Sequence, residues 1–407
     1  MKIGGGGFYN TDSIVKSTSP NKAINMTTIT TIQDLQRLFK RRLPKMFNDY
    51  VDSGSWTEST YRANESDFQK IKFRQRVAVD MSNRSLKSTM IGQDVNMPVA
   101  LAPTGLTGMF YADGEMLAAK AAEAMGVPFT LSTMSVCSIE DVVSVTTKPF
   151  WFQLYMMKDR GYIENLIQRA KDANCSALML TLDLQILGQR HKDLKNGLSV
   201  PPKMTVSQIW NMAIKPAWCI NMLTTKRHSF RNIEGHVKDA QNLSELSVWT
   251  QKQFDEKLSW DDIEWIKQKW GGPLILKGIL DSEDAKLAVK SGADALVVSN
   301  HGGRQLDGAR SSISVLPEII EAVGDQIEVH MDGGIRSGQD VLKAVSLGAK
   351  GVYIGRSYLY GLGAMGLQGV TKSLEIIRNE MDISMAFCGE KDINNMTREH
   401  LYLKDFV

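Results

Sequence analysis

The stretch from residue 299 to residue 308, SNHGGRQLDG, combines side chains suited to acid–base chemistry with glycines that let the backbone turn. It directly follows the apolar run ALVV of residues 295–298, which has the composition of a buried strand. His301 can change its charge near neutral pH, and the planar guanidinium of Arg304 fits a carboxylate. Asn and Gly also form ordinary strand exits, so this stretch alone is equally consistent with a site and with a turn.

Short apolar runs alternate with longer helical segments from residue 97 onward. The runs are residues 97–104, 127–133, 149–155, 177–183, 273–278, 294–300, 327–332 and 351–355. The segments between them have apolar residues at helical spacing, and several end at Gly or Asn, as helices often do. Eight strands separated by helices predict a parallel sheet closed into a (β/α)8 TIM barrel. An open doubly wound sheet is the alternative, but no G-x-G-x-x-G follows the first run.

Polar side chains and glycines stand at the end of each run. In chain order they are Thr104, Ser132, Gln153, Tyr155, Thr181, Asp183, Lys277, Ser299, His301, Arg304, Asp332, Gly334, Arg336, Gly355 and Arg356. Active sites of (β/α)8 barrels lie at the carboxyl ends of the strands. Any one of these residues could belong to an ordinary turn, but the same pattern at eight successive ends favours a site.

The ends of the last two runs predict a phosphate site. They read DGGIRSG at residues 332–338 and IGRS at residues 354–357. Glycine turns and a helix N-terminus expose backbone N–H groups to an anion. Arg336 and Arg356 would add charge-assisted contacts.

The remaining polar ends suggest chemistry on an organic acid. His301 with Asp183 supplies a base and an acidic neighbour. Arg304 with Arg190 supplies two guanidinium groups that can hold a carboxylate. Together with the phosphate site, these residues predict an organic acid bound beside a phosphate-bearing cofactor.

The chain resembles the FMN-dependent α-hydroxy acid dehydrogenases and oxidases, whose signature is similar to SNHGGRQLDG. The resemblance continues in the family's order along most of the chain. The other similar segments are residues 31–54, 101–108, 130–133, 152–155, 181–183, 275–279, 332–336, 355–356 and 385–393. Within the family, residues 217–233 and 271–281 resemble the bacterial membrane-associated L-lactate dehydrogenases that pass electrons to quinone.

The resemblance implies FMN as cofactor and assigns a contact to each matching residue. Lys277 would lie near N1 of the flavin and stabilise the negative charge that reduction creates. The other residues implied to contact the flavin ring are Pro103, Thr104, Gly105, Ser132, Gln153, Thr181 and Ser299. Those implied to hold the ribityl chain and phosphate are Asp332, Gly333, Gly334, Arg336, Gly355 and Arg356.

The resemblance also implies an L-2-hydroxy acid substrate, first of all L-lactate, which would be oxidised to pyruvate. Residues implied to bind its carboxylate or hydroxyl are Tyr50, Tyr155, Arg190 and Arg304. His301 would be the base, and Asp183 would stabilise the imidazolium that forms.

Three positions depart from the family's usual pattern. Members often have two adjacent arginines where this chain reads GQRHKD, so the assignment of Arg190 depends on an ungapped count from Asp183. Met134 stands where a larger aromatic residue is common, and Gly105 stands where Ala is common. The reaction type is therefore better determined than the substrate.

The first 30 residues lie outside the repeating pattern. They are rich in Gly, Ser, Asn and Thr, which predicts a flexible extension, and Met26 is an alternative start. A helical segment before the barrel follows, and residues 31–407 are expected to form one domain.

A long excursion, residues 198–258, separates the fourth and fifth runs. Its basic residues between positions 203 and 238 are Lys203, Lys215, Lys226, Arg227, Arg231 and Lys238, against Glu234. Its helically spaced apolar residues are Val206, Ile209, Trp210, Ala213, Trp218 and Met222. A basic amphipathic segment with Trp is typical of peripheral membrane contact, and the alternative is a lid on the barrel or on a neighbouring subunit.

Composition narrows the function classes. The net charge of +3 comes from 48 basic and 45 acidic residues spread along the chain, which argues against nucleic acid as a partner. The four cysteines have no C-x-x-C spacing, so neither a disulfide framework nor a bound metal is expected. We expect a cytoplasmic protein, peripheral on the inner face of the cell membrane, and the resemblance implies a homotetramer.

The leading hypothesis is an FMN-dependent L-lactate dehydrogenase that passes electrons to a membrane quinone. A soluble oxidase acting on glycolate or lactate with oxygen as acceptor, and a mandelate-type dehydrogenase, are alternatives in the same class. A catalytically silent barrel used for binding is the alternative from another class.

Overall fold

The computed structural model describes residues 28–197, 205–234, 236, 246, 249, 252–404 and 406. Most of the predicted N-terminal extension therefore lies outside the described residues. So do residues 198–204 and much of the second half of the excursion, including Lys203 and Lys238.

Eight parallel strands form the central sheet, in the order β4-β11-β10-β9-β8-β7-β6-β5. The sheet closes between β4 and β5, where the Leu101 N–H donates to the carbonyl of Pro128 at 2.9 Å. This confirms the predicted (β/α)8 barrel rather than an open sheet. In chain order the strands are β1 (Lys72–Phe73), β2 (Ser88–Met90), β3 (Gln93–Val95), β4 (Val99–Leu101), β5 (Thr130–Ser132), β6 (Trp151–Tyr155), β7 (Ala177–Thr181), β8 (Leu274–Ile279), β9 (Ala295–Val298), β10 (Glu328–Asp332), β11 (Gly351–Ile354) and β12 (Leu401–Tyr402).

Helices surround the barrel and precede it. They are α1 (Ile32–Arg42), α2 (Lys45–Val51), α3 (Ser59–Ser66), α4 (Gly114–Met125), α5 (Ile139–Val143), α6 (Arg160–Asp172), α7 (His191–Lys195), α8 (Val206–Ala213), α9 (Pro216–Met222), α10 (Trp260–Trp270), α11 (Ser282–Lys290), α12 (Ser312–Val323), α13 (Gly338–Ser346), α14 (Arg356–Met365) and α15 (Leu367–Phe387). Helix α1 begins with a capping box between Thr31 and Asp34, as its sequence TIQD allows.

The eight barrel strands are buried on both faces, which explains why their sequences are continuous apolar runs. Successive side chains of a strand point to opposite sides. On β7, Met179 packs inside the barrel, whereas Leu178 and Leu180 pack in the larger core between barrel and helices. The barrel interior is thus a packed core, and space for a ligand remains only where the strands end.

Helices α1 to α3 form the N-terminal layer, which packs on the C-terminal end of the barrel. Asn64 on α3 exchanges two side-chain hydrogen bonds of 2.8 Å with Asn300, directly after β9. The N–H of Ser55 donates to the carbonyl of Gly303 at 2.9 Å. The predicted N-terminal helical extension is therefore present, and it covers the loop that carries His301.

The described part of the excursion contains α8 and α9. Val206, Ile209 and Trp210 on α8 are exposed, as expected for a surface face. Trp218 and Met222 do not continue that face, contrary to the prediction, because α9 turns them toward the barrel and buries them. The indole N–H of Trp218 donates to the carbonyl of Met109 at 2.9 Å.

The glycine at position 334 is required by the contact between barrel and N-terminal layer. Gly334 has φ +81°, and a Cβ there would overlap the backbone oxygen of Asn64. Gly271 has φ +70°, but a Cβ there would meet nothing within 4 Å.

We expect Gly334→Ala to destabilise the protein more than Gly271→Ala. Both changes place a side chain in the left-handed region, at a cost of about 1–2 kcal/mol. Only the first also forces overpacking, which adds about 1–3 kcal/mol. Chemical unfolding of the two variants measures the difference, and equal losses would show that the layer tolerates the extra methyl group.

Candidate active site

A cavity of about 310 Å³ opens at the C-terminal end of the barrel. Most residues predicted for the site line it: Tyr50, Pro103, Thr104, Gly105, Tyr155, Thr181, Arg190, Lys277, His301, Arg304, Asp332, Gly333, Gly334, Arg336, Gly355 and Arg356. The predicted residues that do not line it are Asp183, Ser132, Gln153 and Ser299. Each of these four forms a hydrogen bond with a lining residue: Ser132 with Met134, Gln153 with Thr181, Ser299 with Lys277 and Asp183 with His301.

His301 and Asp183 form a hydrogen-bonded pair across the ends of β9 and β7. His301 Nδ1 lies 2.8 Å from Asp183 Oδ1. Because an ionised carboxylate only accepts, Nδ1 carries the proton and Nε2 is left to accept one. Burial would raise the pKa of Asp183, but the charge and hydrogen bond of His301 and the charge of Lys277 hold it below the ordinary value. Asp183 is thus an anion that accepts from Nδ1 and holds the orientation of the imidazole.

The backbone at His301 is held in an unusual conformation. His301 has φ +57°, and Gly302 and Gly303 also have positive φ. The His301 N–H donates to the Ser299 hydroxyl at 3.1 Å, which fixes the turn directly after β9. The glycines of the SNHGGR stretch therefore serve a tight turn that presents the imidazole at the end of the strand.

Lys277 on β8 is buried at the base of the cavity. Its Nζ lies 2.9 Å from Asp332 Oδ2 and donates to the Ser299 hydroxyl at 2.8 Å. Burial would lower the pKa of Lys277, but the charges of Asp332 and Asp183 outweigh it and raise the pKa. The lysine is therefore a fixed cation. Asp332 Oδ1 is buried and has no hydrogen-bond partner in the part of the chain that the structure describes, so it can accept from a ligand hydroxyl.

Two arginines line the cavity near the ring of Tyr50. The guanidinium of Arg304 lies 4.5 Å from the centre of the Tyr50 ring, and that of Arg190 lies 5.9 Å away. Arg304 Nη1 donates to the carbonyl of Ser53 at 3.2 Å. Its Nη2 is buried without a hydrogen-bond partner among the described residues. We call Arg190 and Arg304 the arginine clamp, since their remaining donors can hold a carboxylate.

The predicted phosphate end of the cavity lies where α14 begins. A Cβ on Gly355 would meet only carbon atoms at 3.9 Å, so the backbone there is accessible to a ligand. Arg356 donates to the carbonyls of Val51, Ser53 and Gly302 at 2.7, 2.9 and 3.0 Å. These bonds use three of its five N–H groups and leave two for an anion.

Arg336 lies at the same end of the cavity. Its Nη2 pairs with Glu65 on α3 at 2.8 Å. The helix N-terminus, the glycine turns and these two guanidinium groups fit the phosphate of FMN.

The apolar wall of the cavity consists of Met134, Leu184, Leu187, Phe230 and Phe254. Of these residues the sequence indicated only Met134, where it departs from the family's usual pattern. Phe254 packs edge-on against Tyr155, with ring centres 5.5 Å apart. Phe230 and Phe254 come from the excursion and its end, where no periodic pattern indicates a cavity-facing side chain.

Asp193 was also missed, although it lines the cavity. It follows Arg190, the residue directly before α7, by three positions, and this spacing was the only local signal. Arg190 Nε lies 3.2 Å from Asp193 Oδ2.

A closed barrel with a His–Asp pair, a buried lysine, an arginine clamp and a helix N-terminus beside two guanidinium groups has the features of a flavin-dependent oxidoreductase. The family model for FMN-dependent dehydrogenase matches residues 39–403. The chain therefore belongs to the FMN-dependent dehydrogenase family, and FMN is its cofactor. This confirms the predicted family and an enzyme rather than a silent barrel.

Relatives cover nearly the whole chain. An L-lactate dehydrogenase of Caulobacter sp. is 43% identical over 378 residues, which cover 93% of this chain and 99% of the relative. One of Azorhizobium caulinodans is 45% identical over 374 residues, 92% of this chain and 98% of the relative.

Solved structures agree in fold. A monotopic membrane protein, (S)-mandelate dehydrogenase, superposes with a TM-score of 0.89 at 32% identity, covering 93% of this chain and all of that one. A mandelate oxidase superposes with a TM-score of 0.78 at 34% identity, covering 92% of this chain and 98% of that one.

Breaking the buried Lys277–Asp332 pair should be costly because each change leaves the other charge unpaired. We expect Lys277→Met and Asp332→Asn each to lower the free energy of unfolding by about 3–5 kcal/mol. The double variant should lose less than the sum of the two. Additive losses in chemical unfolding would contradict a direct ionic contact.

Proposed function

We propose that this protein oxidises L-lactate to pyruvate on FMN. The observation that carries the proposal is the hydrogen bond of 2.8 Å between Asp183 and His301, which lines the same cavity as Arg190 and Arg304. A base beside two guanidinium groups suits a substrate with a hydroxyl next to a carboxylate. The L-lactate dehydrogenases that are 43% and 45% identical to the chain support L-lactate as that substrate.

The chain's own residues bind and orient the substrate in this proposal. The arginine clamp and the hydroxyl of Tyr50 hold the carboxylate. Burial raises the pKa of Tyr155, so this side chain stays a hydrogen-bond donor to the substrate hydroxyl. His301 Nε2 takes the proton that the substrate loses, and Asp183 stabilises the resulting imidazolium.

FMN accepts the two electrons of the oxidation when it is bound. Lys277 would supply the fixed positive charge beside the flavin that compensates the negative charge of its reduction. The other residues that would hold FMN are Pro103, Thr104, Gly105, Ser132, Gln153, Thr181, Ser299, Asp332, Gly333, Gly334, Arg336, Gly355 and Arg356. Asp332 Oδ1 and the backbone at Gly355 support this assignment, since both can take a further ligand contact.

The electron acceptor in this proposal is a membrane quinone, and the protein lies on the inner face of the membrane as a homotetramer. An exposed apolar patch on α8 and α9 supports membrane contact. It consists of Val206, Ile209, Trp210, Ile214, Ile220 and Leu223. No helix of the described residues is both long and apolar enough to cross a membrane.

Some basic residues of the excursion are paired with carboxylates, which reduces their attraction to an anionic membrane. Arg227 pairs with Asp113 at 3.0 Å and with Asp141 at 3.1 Å. Arg231 pairs with Asp141 at 2.8 Å. Vesicle binding should therefore depend mainly on apolar burial and only weakly on salt.

A mandelate-type substrate is the second candidate, favoured by the apolar wall of Met134, Leu184, Leu187, Phe230 and Phe254. Such a wall can bury an aromatic ring. The ratio of kcat/KM for L-lactate and (S)-mandelate decides between the two substrates. The rates at which quinone and oxygen reoxidise the reduced enzyme decide between a dehydrogenase and an oxidase.

His301→Gln should keep FMN and the fold but lose most of the turnover. Removal of a positioned general base typically costs about 100- to 10,000-fold in rate. Anaerobic bleaching of the flavin by L-lactate measures this step directly. Bleaching at the wild-type rate would remove His301 from the role of base.

Ile209→Glu with Trp210→Glu should abolish vesicle binding while leaving flavin reduction by L-lactate intact. Charged side chains in the apolar patch oppose insertion into the interface. Ile383→Glu with Phe387→Glu is the matched control, since these residues are also exposed but lie on α15. Cosedimentation with anionic vesicles and activity with a long-chain quinone are measured. If the control pair has the larger effect, the patch on α8 and α9 is not the contact.

A further inference from the structure

Asp193 is a carboxylate at the place where the proposed substrate carboxylate would bind. It lies on α7, is 5% exposed and lines the cavity. Its Oδ2 approaches both arginines of the clamp, at 3.2 Å from Arg190 Nε and 3.7 Å from Arg304 Nη2. Ser53 adds a hydroxyl that lies 3.4 Å from Oδ1.

The two arginines depend on this carboxylate to different degrees. Arg304 is fixed on its other side, because Nη1 donates to carbonyls of Tyr50 and Ser53. Arg190 belongs to the loop after β7 and contacts the ring of Tyr50 only at 5.9 Å. Without an anion between them the two guanidinium groups repel each other, and Arg190 is the one that can turn toward solvent.

The carboxylate in turn depends on the arginines. Burial raises the pKa of Asp193, and Arg304, Arg190 and the Ser53 hydroxyl oppose that effect. A buried carboxylate without such partners would be strongly unfavourable. The contact is therefore a three-residue unit with two positive charges and one negative charge.

We infer that Asp193 is a positioning residue that holds Arg190 beside Arg304, so that together they bind one substrate carboxylate. This inference rests on the proposed function. The unit carries one net positive charge, which a single carboxylate neutralises. The site is thereby matched to the anion of a 2-hydroxy acid rather than to its neutral amide or ester.

Whether Asp193→Asn weakens or tightens substrate binding distinguishes a positioning role from a purely electrostatic one. Removal of a negative charge beside a carboxylate site would by charge alone tighten substrate binding. Loss of positioning weakens it, because Arg190 leaves the clamp. The change is nearly isosteric, and retained FMN and an unchanged unfolding temperature show that the variant is folded.

The measurement is anaerobic flavin reduction over a range of L-lactate concentrations, which separates substrate Kd from the limiting rate. Asp193→Asn should raise Kd by about 10- to 100-fold, the effect of one lost charged contact. The limiting rate should fall by a smaller factor. Asp49→Asn is the matched control, since Asp49 is a nearby carboxylate that pairs with Lys45 rather than with an arginine. It should change Kd by less than about threefold.

A double variant tests whether Asp193 acts through Arg190. Arg190→Gln alone should raise Kd by the same factor as Asp193→Asn, and the two changes together should do no more than either alone. The inference would be overturned if the double variant raised Kd by the product of the two single factors, or if Asp193→Asn bound L-lactate more tightly than the wild type. If the wild type reduces its flavin with L-lactate and Asp193→Asn has normal Kd, only this inference fails. A wild type that no L-2-hydroxy acid reduces would contradict the proposed function itself.

Discussion

The common direction of the eight barrel strands is the constraint on which the rest of the structure depends. Because all strands are parallel, every carboxyl end meets at one end of the barrel. Residues separated by more than a hundred positions, such as Asp183 and His301, then lie within hydrogen-bond distance. The interior is filled with side chains, and the cavity with the site residues opens at the carboxyl ends of the strands.

A second constraint also shapes the site: arginines that line the cavity donate hydrogen bonds to the carbonyls at the end of α2. The last carbonyls of an α-helix have no partners within the helix and carry partial negative charge. At the end of α2, Arg304 and Arg356 donate to the carbonyls of Tyr50, Val51 and Ser53. The same side chains face the cavity. The same hydrogen bonds therefore hold the N-terminal layer on the barrel and orient the two site arginines.

Charge pairing governs the interior of the cavity. Lys277 lies against Asp332, His301 against Asp183, and the arginine clamp against Asp193. Each pair offsets the cost of burying an isolated charge. Lys277 and the arginine clamp therefore present positive charge to the cavity, which suits an anionic ligand.

The sequence by itself determined the barrel and the polar side chains that line the cavity at its strand ends. These features are encoded locally, because a buried strand is a continuous apolar run and the residue after it must lie at the barrel end. The resemblance of motifs such as SNHGGRQLDG then indicated the family and its cofactor.

Only the tertiary structure decided which side chains of the long connections reach the site. Asp193, Phe230 and Phe254 line the cavity, and Trp218 is buried rather than exposed. It also showed that Arg227 and Arg231 are paired with carboxylates. The direction of a side chain in an irregular segment depends on contacts with residues far away in the chain, and local periodicity carries no information about such contacts.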